Sequence, residues 1–369
     1  MSTIVTASGP AQFLSLVPSL LGFTPTRSVV LVPLARGRSL GAMRLDLPPD
    51  DLSDSVASSA VGMLCRIPTA DAAMVVIYTD AAITGALPHR DLAEAIGRSA
   101  DACGLKLVDA FTIAADGWGS HLDRRLPPQG RPLDELIPHA PGPGPVPEGD
   151  QSSGATLPRR SAGERRAVGG ALRSLETALE VICGIPARAE RVDRVDPAAL
   201  ESACQLDDLP TLFEDALRGD AGALTPMRAA ALAWCFARPA LRDVALVQWA
   251  SDLSGGDRAL DAQQKWEDGA PYPTDLAERM WGEGPRPDTD RLQAALDLTR
   301  QVAALAPRPL RPGPLALCAW LSWALGRSTH ADHYTREALK IEPTHGLSEI
   351  VQSFVQAGHI PDWAFRPAT

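Results

Sequence analysis

Leu315-Ala316-Leu317-Cys318-Ala319-Trp320-Leu321-Ser322-Trp323-Ala324-Leu325 is a run of eleven residues with one hydroxyl as its only polar side chain. It reads as a helix that Gly326 stops, because glycine takes the left-handed conformation of a helix C-terminus without steric cost. Ordering the run costs roughly 16 kcal/mol at about 1.5 per residue. Burying Leu315, Leu317, Trp320, Leu321, Trp323 and Leu325 returns about 12 kcal/mol at roughly 2 per side chain. The two sides meet only when nearly every face is covered, so the composition predicts a helix at the centre of its layer.

Beyond Gly326, Ala331 and Ala338 are small residues seven apart, and Pro343 closes the segment. These offsets match the packing alanines and terminal proline of a tetratricopeptide-type hairpin, a unit that needs about three stacked copies to stand. Such hairpins are docking surfaces more often than catalytic sites. Working back, the chain reads as helical from Ser161 onward: Ala167, Ala171, Leu175 and Leu179 share a face, and Asp196-Pro197 and Thr225-Pro226 each place a capping residue before a proline at the first helical position.

The first 124 residues have a different rhythm. Phe13, Leu14, Val17 and Leu21 mark a helix over 11–21. Ser28–Leu34 and Ala72–Thr79 are almost wholly apolar, as strands covered on both faces are. Leu40–Leu47 and Leu105–Ala114 supply two more strands, and Asp116-Gly117 predicts a tight hairpin with positive φ before a short strand at Trp118–Leu122. With helices at 52–66 and 89–103, the order predicts a mixed sheet carrying helices. Between 125 and 160 prolines accumulate (Pro127, Pro128, Pro132, Pro138, Pro141, Pro143, Pro145, Pro147, Pro158), which blocks helix and ladder alike and reads as a linker or long loop. The expected plan is an α/β domain (1–124), this stretch (125–160) and an α-helical domain (161–369).

Composition sets bounds. At 369 residues the chain is long enough for two domains. The formal net charge of −10 opposes non-specific nucleic-acid binding, which rests on neutralising phosphates. Only Lys106, Lys265 and Lys340 are lysines, the other basic residues being arginine, an imbalance that points to genome composition more than to recognition. No apolar run reaches the length of a membrane span. Met1-Ser2-Thr3 opens no basic-then-apolar leader, so a cytoplasmic setting is expected. Cys65, Cys103, Cys183, Cys204, Cys235 and Cys318 form no Cys-x-x-Cys pair and are expected to be mostly buried free thiols.

Two stretches carry a family resemblance. Val17-Pro18-Ser19-Leu20-Leu21-Gly22-Phe23-Thr24-Pro25-Thr26-Arg27-Ser28-Val29-Val30 and the segment from Pro314 through Gly326, Ala338-Leu339 and Pro343 resemble the actinobacterial family known as domain of unknown function 4192. Arg44-Leu45-Asp46-Leu47-Pro48 and Asp116-Gly117-Trp118 with Pro128-x-Gly130 are similar too. Many relatives carry Cys-Cys-Pro near the position of Leu126-Pro127-Pro128, which has no cysteine here. The resemblance implies an architecture and a bacterial cytoplasmic setting, and carries no known activity.

No motif names a reaction. There is no Gly-x-x-x-x-Gly-Lys-Ser/Thr, and no Gly-x-Gly-x-x-Gly follows a strand. Asp46 and Asp80 flank strands of the sheet; if their carboxylates converged they could hold a divalent cation or act as acid and base at strand ends, where open sheets bind ligands. Read blandly, they are turn formers. His330 and His333 face one way on a helix with His345 nearby, short of a complete metal ligand set. His121 and Ser120 are neighbours on a strand and point to opposite faces. Arg159-Arg160 and Arg165-Arg166 are a basic concentration diluted by Glu164. The sequence therefore favours a non-catalytic interaction or regulatory protein that docks a protein partner through its helical part. The alternative is a metal- or nucleotide-dependent hydrolase built on Asp46 and Asp80. Cofactor and substrate are left open.

Overall fold

A computed structural model describes residues 7–136, 148–184 and 195–365. Met1-Ser2-Thr3 and the prolines at 138, 141, 143, 145 and 147 lie outside the described residues. The chain divides into two compact units, Met1–Ser153 and Gly154–Thr369.

The first unit runs α1 (Pro10–Leu21), β1 (Ser28–Ala35), β2 (Arg38–Ser39), β3 (Met43–Asp46), α2 (Ser53–Cys65), β4 (Ala72–Tyr78), α3 (Arg90–Ala102), β5 (Lys106–Ile113) and β6 (Trp118–Ser120). One mixed sheet holds all six strands. β1 pairs antiparallel with β2 and β3 on one side and with β4 on the other; β4 and β5 are parallel, and β6 returns antiparallel to β5. The run Leu40–Leu47, read as one strand, is broken. Leu34 faces Ser39 while Leu31 faces Met43, so the register slips by one residue, and Gly41 has a φ of 127° at the break.

Val29, Val30, Leu31 and Val32 are fully buried because both faces of β1 are covered. Val29 and Leu31 join Val75 and Ile77 beneath α2 and α3, whereas Val30 and Val32 join Val76, Phe111 and Trp118 beneath Leu14 and Val17 of α1. The Asp116-Gly117 turn is closed by the Ala114 N–H donating to the Gly117 carbonyl at 2.8 Å. Neither residue has positive φ, contrary to expectation. Glycine is required by crowding: a Cβ on Gly117 would lie 3.0 Å from the carbonyl oxygens of Gln129 and Arg131. Residues beyond 124 are thereby fastened to this unit, with Trp118 and Arg131 exchanging backbone bonds of 2.9 and 2.7 Å.

The second unit is helical: α4 (Ala162–Ile182), α5 (Pro197–Cys204), α6 (Leu209–Arg218), α7 (Pro226–Phe236), α8 (Pro239–Trp249), α9 (Leu253–Glu267), α10 (Thr274–Met280), α11 (Thr289–Leu305), α12 (Pro312–Ala324), α13 (Ser328–Leu339) and α14 (Gly346–Gln356). Side-chain caps start several of them. Ser161 and Glu164 form a reciprocal capping box on α4, and Asp196, Thr225 and Asp288 cap α5, α7 and α11. Every residue of α12 is buried, packed by α7, α8, α11, α13 and α14. Gly326, at a φ of 77°, turns the chain into α13. The α12 tryptophans keep their indole N–H groups satisfied, Trp320 by the Met280 carbonyl at 3.0 Å and Trp323 by that of His359 at 2.7 Å.

The cysteines correct the sequence reading. Only Cys235 and Cys318 are buried; Cys65, Cys103, Cys183 and Cys204 are exposed. Each exposed one ends a helix or follows its last residue, where the apolar periodicity runs out into solvent. Among the described residues no helix is long and apolar enough to cross a membrane.

Candidate ligand-binding site

β5 is where the first unit turns from packing to chemistry. Its pairing with β4 shifts register between Ala73 and Met74, so that Ala73 faces Leu107 and Met74 faces Asp109. The bulge at Val108 puts Leu107 against the α2/α3 core and turns Asp109 to the other face, with Phe111. There an open cavity of about 1000 Å³ lies along the β5–β6 edge beside the first turn of α1. Its walls include Gln12, Asp109, Phe111, Trp118, Ser120, Asp123, Arg131, Asp134 and Glu135.

The two central carboxylates are held differently. Ser120 Oγ donates to Asp109 Oδ1 at 2.5 Å, and the Ala110 N–H donates to the same oxygen at 2.8 Å. Burial nevertheless wins and raises the Asp109 pKa. Asp123 accepts the Arg125 N–H at 2.8 Å and the Arg131 guanidinium at 3.0 Å, and these bonds hold its carboxyl below the usual range. Arg131 also lies over the Trp118 ring, 5.5 Å from its centroid, while Trp118 donates to the Pro132 carbonyl at 3.1 Å. The walls thus carry four carboxyl groups against one guanidinium, itself committed to Asp123 and Trp118. Such a surface carries a net negative field.

Asp46 and Asp80 are not here. Asp46 and Tyr78 both face Ser28 from opposite sides of β1, so Asp46 and the chain leading to Asp80 reach the same sheet end with a strand between them. Two strand spacings amount to about 10 Å. The Asp46 carboxylate is 87% exposed and is held by Arg44 at 2.6 Å; Asp80 is exposed. Both are strand-end residues facing water, and the structure does not bring them together.

That sheet end holds a different constellation. Thr79 shares the face of Val75 and Ile77, and its hydroxyl lies 3.0 Å from His89 Nε2 while accepting the Ala81 N–H at 3.2 Å. His89 Nδ1 lies 3.7 Å from the exposed Asp50. His89 stands immediately before α3 at a φ of 60°, a left-handed strain of about 1–2 kcal/mol. Beside it, the buried Thr112 hydroxyl is 2.8 Å from His121 Nε2. Burial lowers the His121 pKa to about 4, so the ring is neutral. Ser120 and His121 do point to opposite faces, one to Asp109 and the other to Thr112. A smaller pocket of about 310 Å³ adjoins, between the first turns of α2 and α3, lined by Asp50, Asp51, Asp54, Asp91, Glu94 and Arg98.

In the second unit two of the polar residues singled out by the sequence serve structure. His345 is buried and caps α14 by accepting the Ser348 N–H, and Arg160 binds Glu164, Gln301 and the Gly222 carbonyl. Among the described residues no group of three or more His, Cys, Asp or Glu side chains is placed to hold a metal ion. Several apolar side chains face water, Trp266 at 55% among them, and two of them flank a buried ring. Trp281 is 51% exposed, its ring 5.3 Å from that of Phe354, and Ile350, 41% exposed, lies one turn before Phe354 on α14.

The sequence hid Asp109, Asp123 and Arg131. Asp109 alone left a trace, as a carboxylate inside a largely apolar strand; Asp123 follows the short strand read at 118–122, and Arg131 comes from the segment read as linker. The chain belongs to the family described as domain of unknown function DUF4192, whose model matches residues 10–268 and 286–362. No curated protein and no solved structure matches it.

Proposed function

We propose that this chain is a non-catalytic regulatory protein whose α/β unit binds a small cationic ligand and whose helical unit docks a protein partner. The observation that carries the reading is the open cavity on the β5–β6 edge, where the bulge aims Asp109 into a surface of four carboxyls. Trp281, Phe354 and Ile350 support the docking half, since exposed tryptophan is enriched at binding hot spots. The α12–α13 pair is taken as tetratricopeptide-like on its turn, its small-residue positions and its wholly buried first helix. A cytoplasmic setting belongs to the proposal and is supported by four exposed, unpaired cysteines, which fit a reducing compartment.

Melting curves with spermidine, arginine and glucosamine, against glucose and phosphate, test the ligand half. At a hundredfold excess over Kd a bound cation stabilises by about 2.7 kcal/mol. Asp109→Asn and Asp123→Asn should abolish that gain. No response to any cation, or one indifferent to both substitutions, refutes it. For the docking half, full-length protein and its Trp281→Ala variant are compared as bait in native extract. A specific partner lost with Trp281 is expected, and equal recovery from both refutes this surface.

A second reading has its own support. Thr79, His89 and Asp50 stand in the order of nucleophile, base and orienting carboxylate at the carboxyl ends of β4 and β5. In that hydrolase reading they replace Asp46 and Asp80. Turnover of a p-nitrophenyl ester, lost in both Thr79→Val and His89→Gln, favours it; a rate unchanged by either removes it.

A further inference from the structure

Two of the exposed thiols stand together. Cys65 is the last residue of α2, and Cys103 caps the C-terminus of α3. Both helices pack on the same face of the sheet and against each other. Each returns from the end of one of two strands, β3 and β4, that point the same way beside β1. The helices are therefore parallel neighbours, and their C-termini emerge at one end of the sheet. There the two side chains are close enough for the Cys103 thiol to influence that of Cys65, and both residues are exposed.

We propose that Cys65 and Cys103 are a dithiol modification site, which a small-molecule disulfide converts to an intramolecular disulfide that staples the C-terminal ends of α2 and α3. The inference depends on neither functional reading. Placing both thiols at adjoining helix ends makes the second exchange intramolecular, so it outruns capture of a second small molecule. Both residues lie at the last turn of a helix, where the backbone has room to adopt disulfide geometry.

One thiol gives its proton to solvent and attacks oxidised glutathione, forming a mixed disulfide and expelling one glutathione thiolate. The other thiol, likewise deprotonated, attacks the protein sulfur of that mixed disulfide. The Cys65–Cys103 bond forms and a second glutathione thiolate leaves. Two protein thiols are oxidised by two electrons, and one oxidised glutathione becomes two reduced molecules. Burial and the adjacent Cys103 both raise the Cys65 pKa, so its thiolate is scarce near neutrality and exchange should accelerate as pH rises.

The test uses the full chain, reduced, desalted and incubated with oxidised glutathione at about pH 8.5, near the ordinary thiol pKa. After acid quenching it is digested without reductant and mapped by mass spectrometry. The expected main product joins the Cys65 and Cys103 peptides and reverts with dithiothreitol, while Cys183 and Cys204 report how exposed thiols of the other unit are capped. Cys103→Ser should leave glutathione on Cys65, with circular dichroism confirming that the variant is folded. Separate glutathione caps on Cys65 and Cys103 in the wild type overturn the proposal. So does an unreacted pair in a sample whose Cys183 and Cys204 are capped, a reading that needs no variant to fold.

Discussion

Replacing Glu214 by glutamine should destabilise the helical unit by about 3 kcal/mol, and only above the acid range. The Glu214 side chain is 7% exposed. It accepts both Arg291 guanidinium nitrogens, at 2.9 and 2.5 Å, and the Gln248 amide at 3.1 Å. Removing one partner of a buried pair typically costs about 3–5 kcal/mol, because the other charge is left behind. Arg291 is 17% exposed and still reaches the Gln248 carbonyl, which places the loss at the lower end. The pKa leads to the same figure. Arg291 hydrogen bonds chiefly, helped by Gln248, draw Glu214 down from 4.5 to about 2. That displacement corresponds to about 3 kcal/mol of preference for the ionised, folded form. The folded pKa is the lower one, so the stabilisation is complete above 4.5 and is lost as pH falls toward 2. Urea unfolding followed by tryptophan emission reads this unit, which holds seven of the eight tryptophans. At pH 7 the variant should unfold at clearly lower urea; by pH 3 more than half of the difference should be gone. A difference of the same size at both pH values would show that Glu214 acts through shape and not charge.

Other outcomes follow from single sites. His121 is kept neutral by burial with a pKa of about 4, below its ordinary 6.5, so the first unit should lose stability as pH falls from 6.5 toward 4. Hydrogen exchange of the β5 and β6 peptides should show this, and His121→Gln should flatten it. Trp323 packs on Trp320, Phe354, His359 and Trp363, so Trp323→Ala should cost about 3–5 kcal/mol in urea unfolding, and a loss under 1 would contradict that packing. Ser161→Ala removes the hydroxyl that accepts the Glu164 N–H and should lower stability by about 1 kcal/mol, with faster exchange confined to the first turn of α4.

The fold was legible where one local rule dominated. Val29 to Val32 announce a strand covered on both faces, and the apolar run from Leu315 announces a helix without a wet side; no neighbour is needed to read either. The mixed sheet followed, and so did its hairpin partners, because short turns at Gly37 and Asp116-Gly117 left few alternatives; the order of the strands did not. The site was hidden because its residues meet only through irregularity. Alternation along β5 places Leu107 and Asp109 on one face, and only the bulge at Val108 separates them. Arg131 belongs to a stretch whose prolines say what it cannot form and nothing of where it docks. His89 sits in a conformation that sequence does not mark for a residue other than glycine. Asp46 and Asp80 were legible as strand ends, yet β1 between them could be known only from the pairing.

The cavity itself follows from how unevenly the sheet is covered. A helix is about 10 Å across and strands are about 4.8 Å apart, so one helix shelters roughly two strands. α2 and α3 together cover one face, and their core runs unbroken from Val29 across Ile77 to Ala110. Among the described residues the other face has α1, twelve residues whose Leu14 and Val17 reach Val30, Val76 and Phe111, with Leu136 beside it. The β5–β6 edge is left beyond it, and there the inward positions change from Val and Leu to Asp109 and Ser120. An apolar pair at those positions would have left grease facing water. A polar pair under a second helix would have required a buried, fully satisfied network. Among the described residues neither course is taken: the carboxylate stands beyond the reach of α1 and of the α2/α3 pair. That coincidence argues for a surface kept open for a ligand, and filling Ser120 with leucine should cost the cation response while leaving the α2/α3 face and its stability in place.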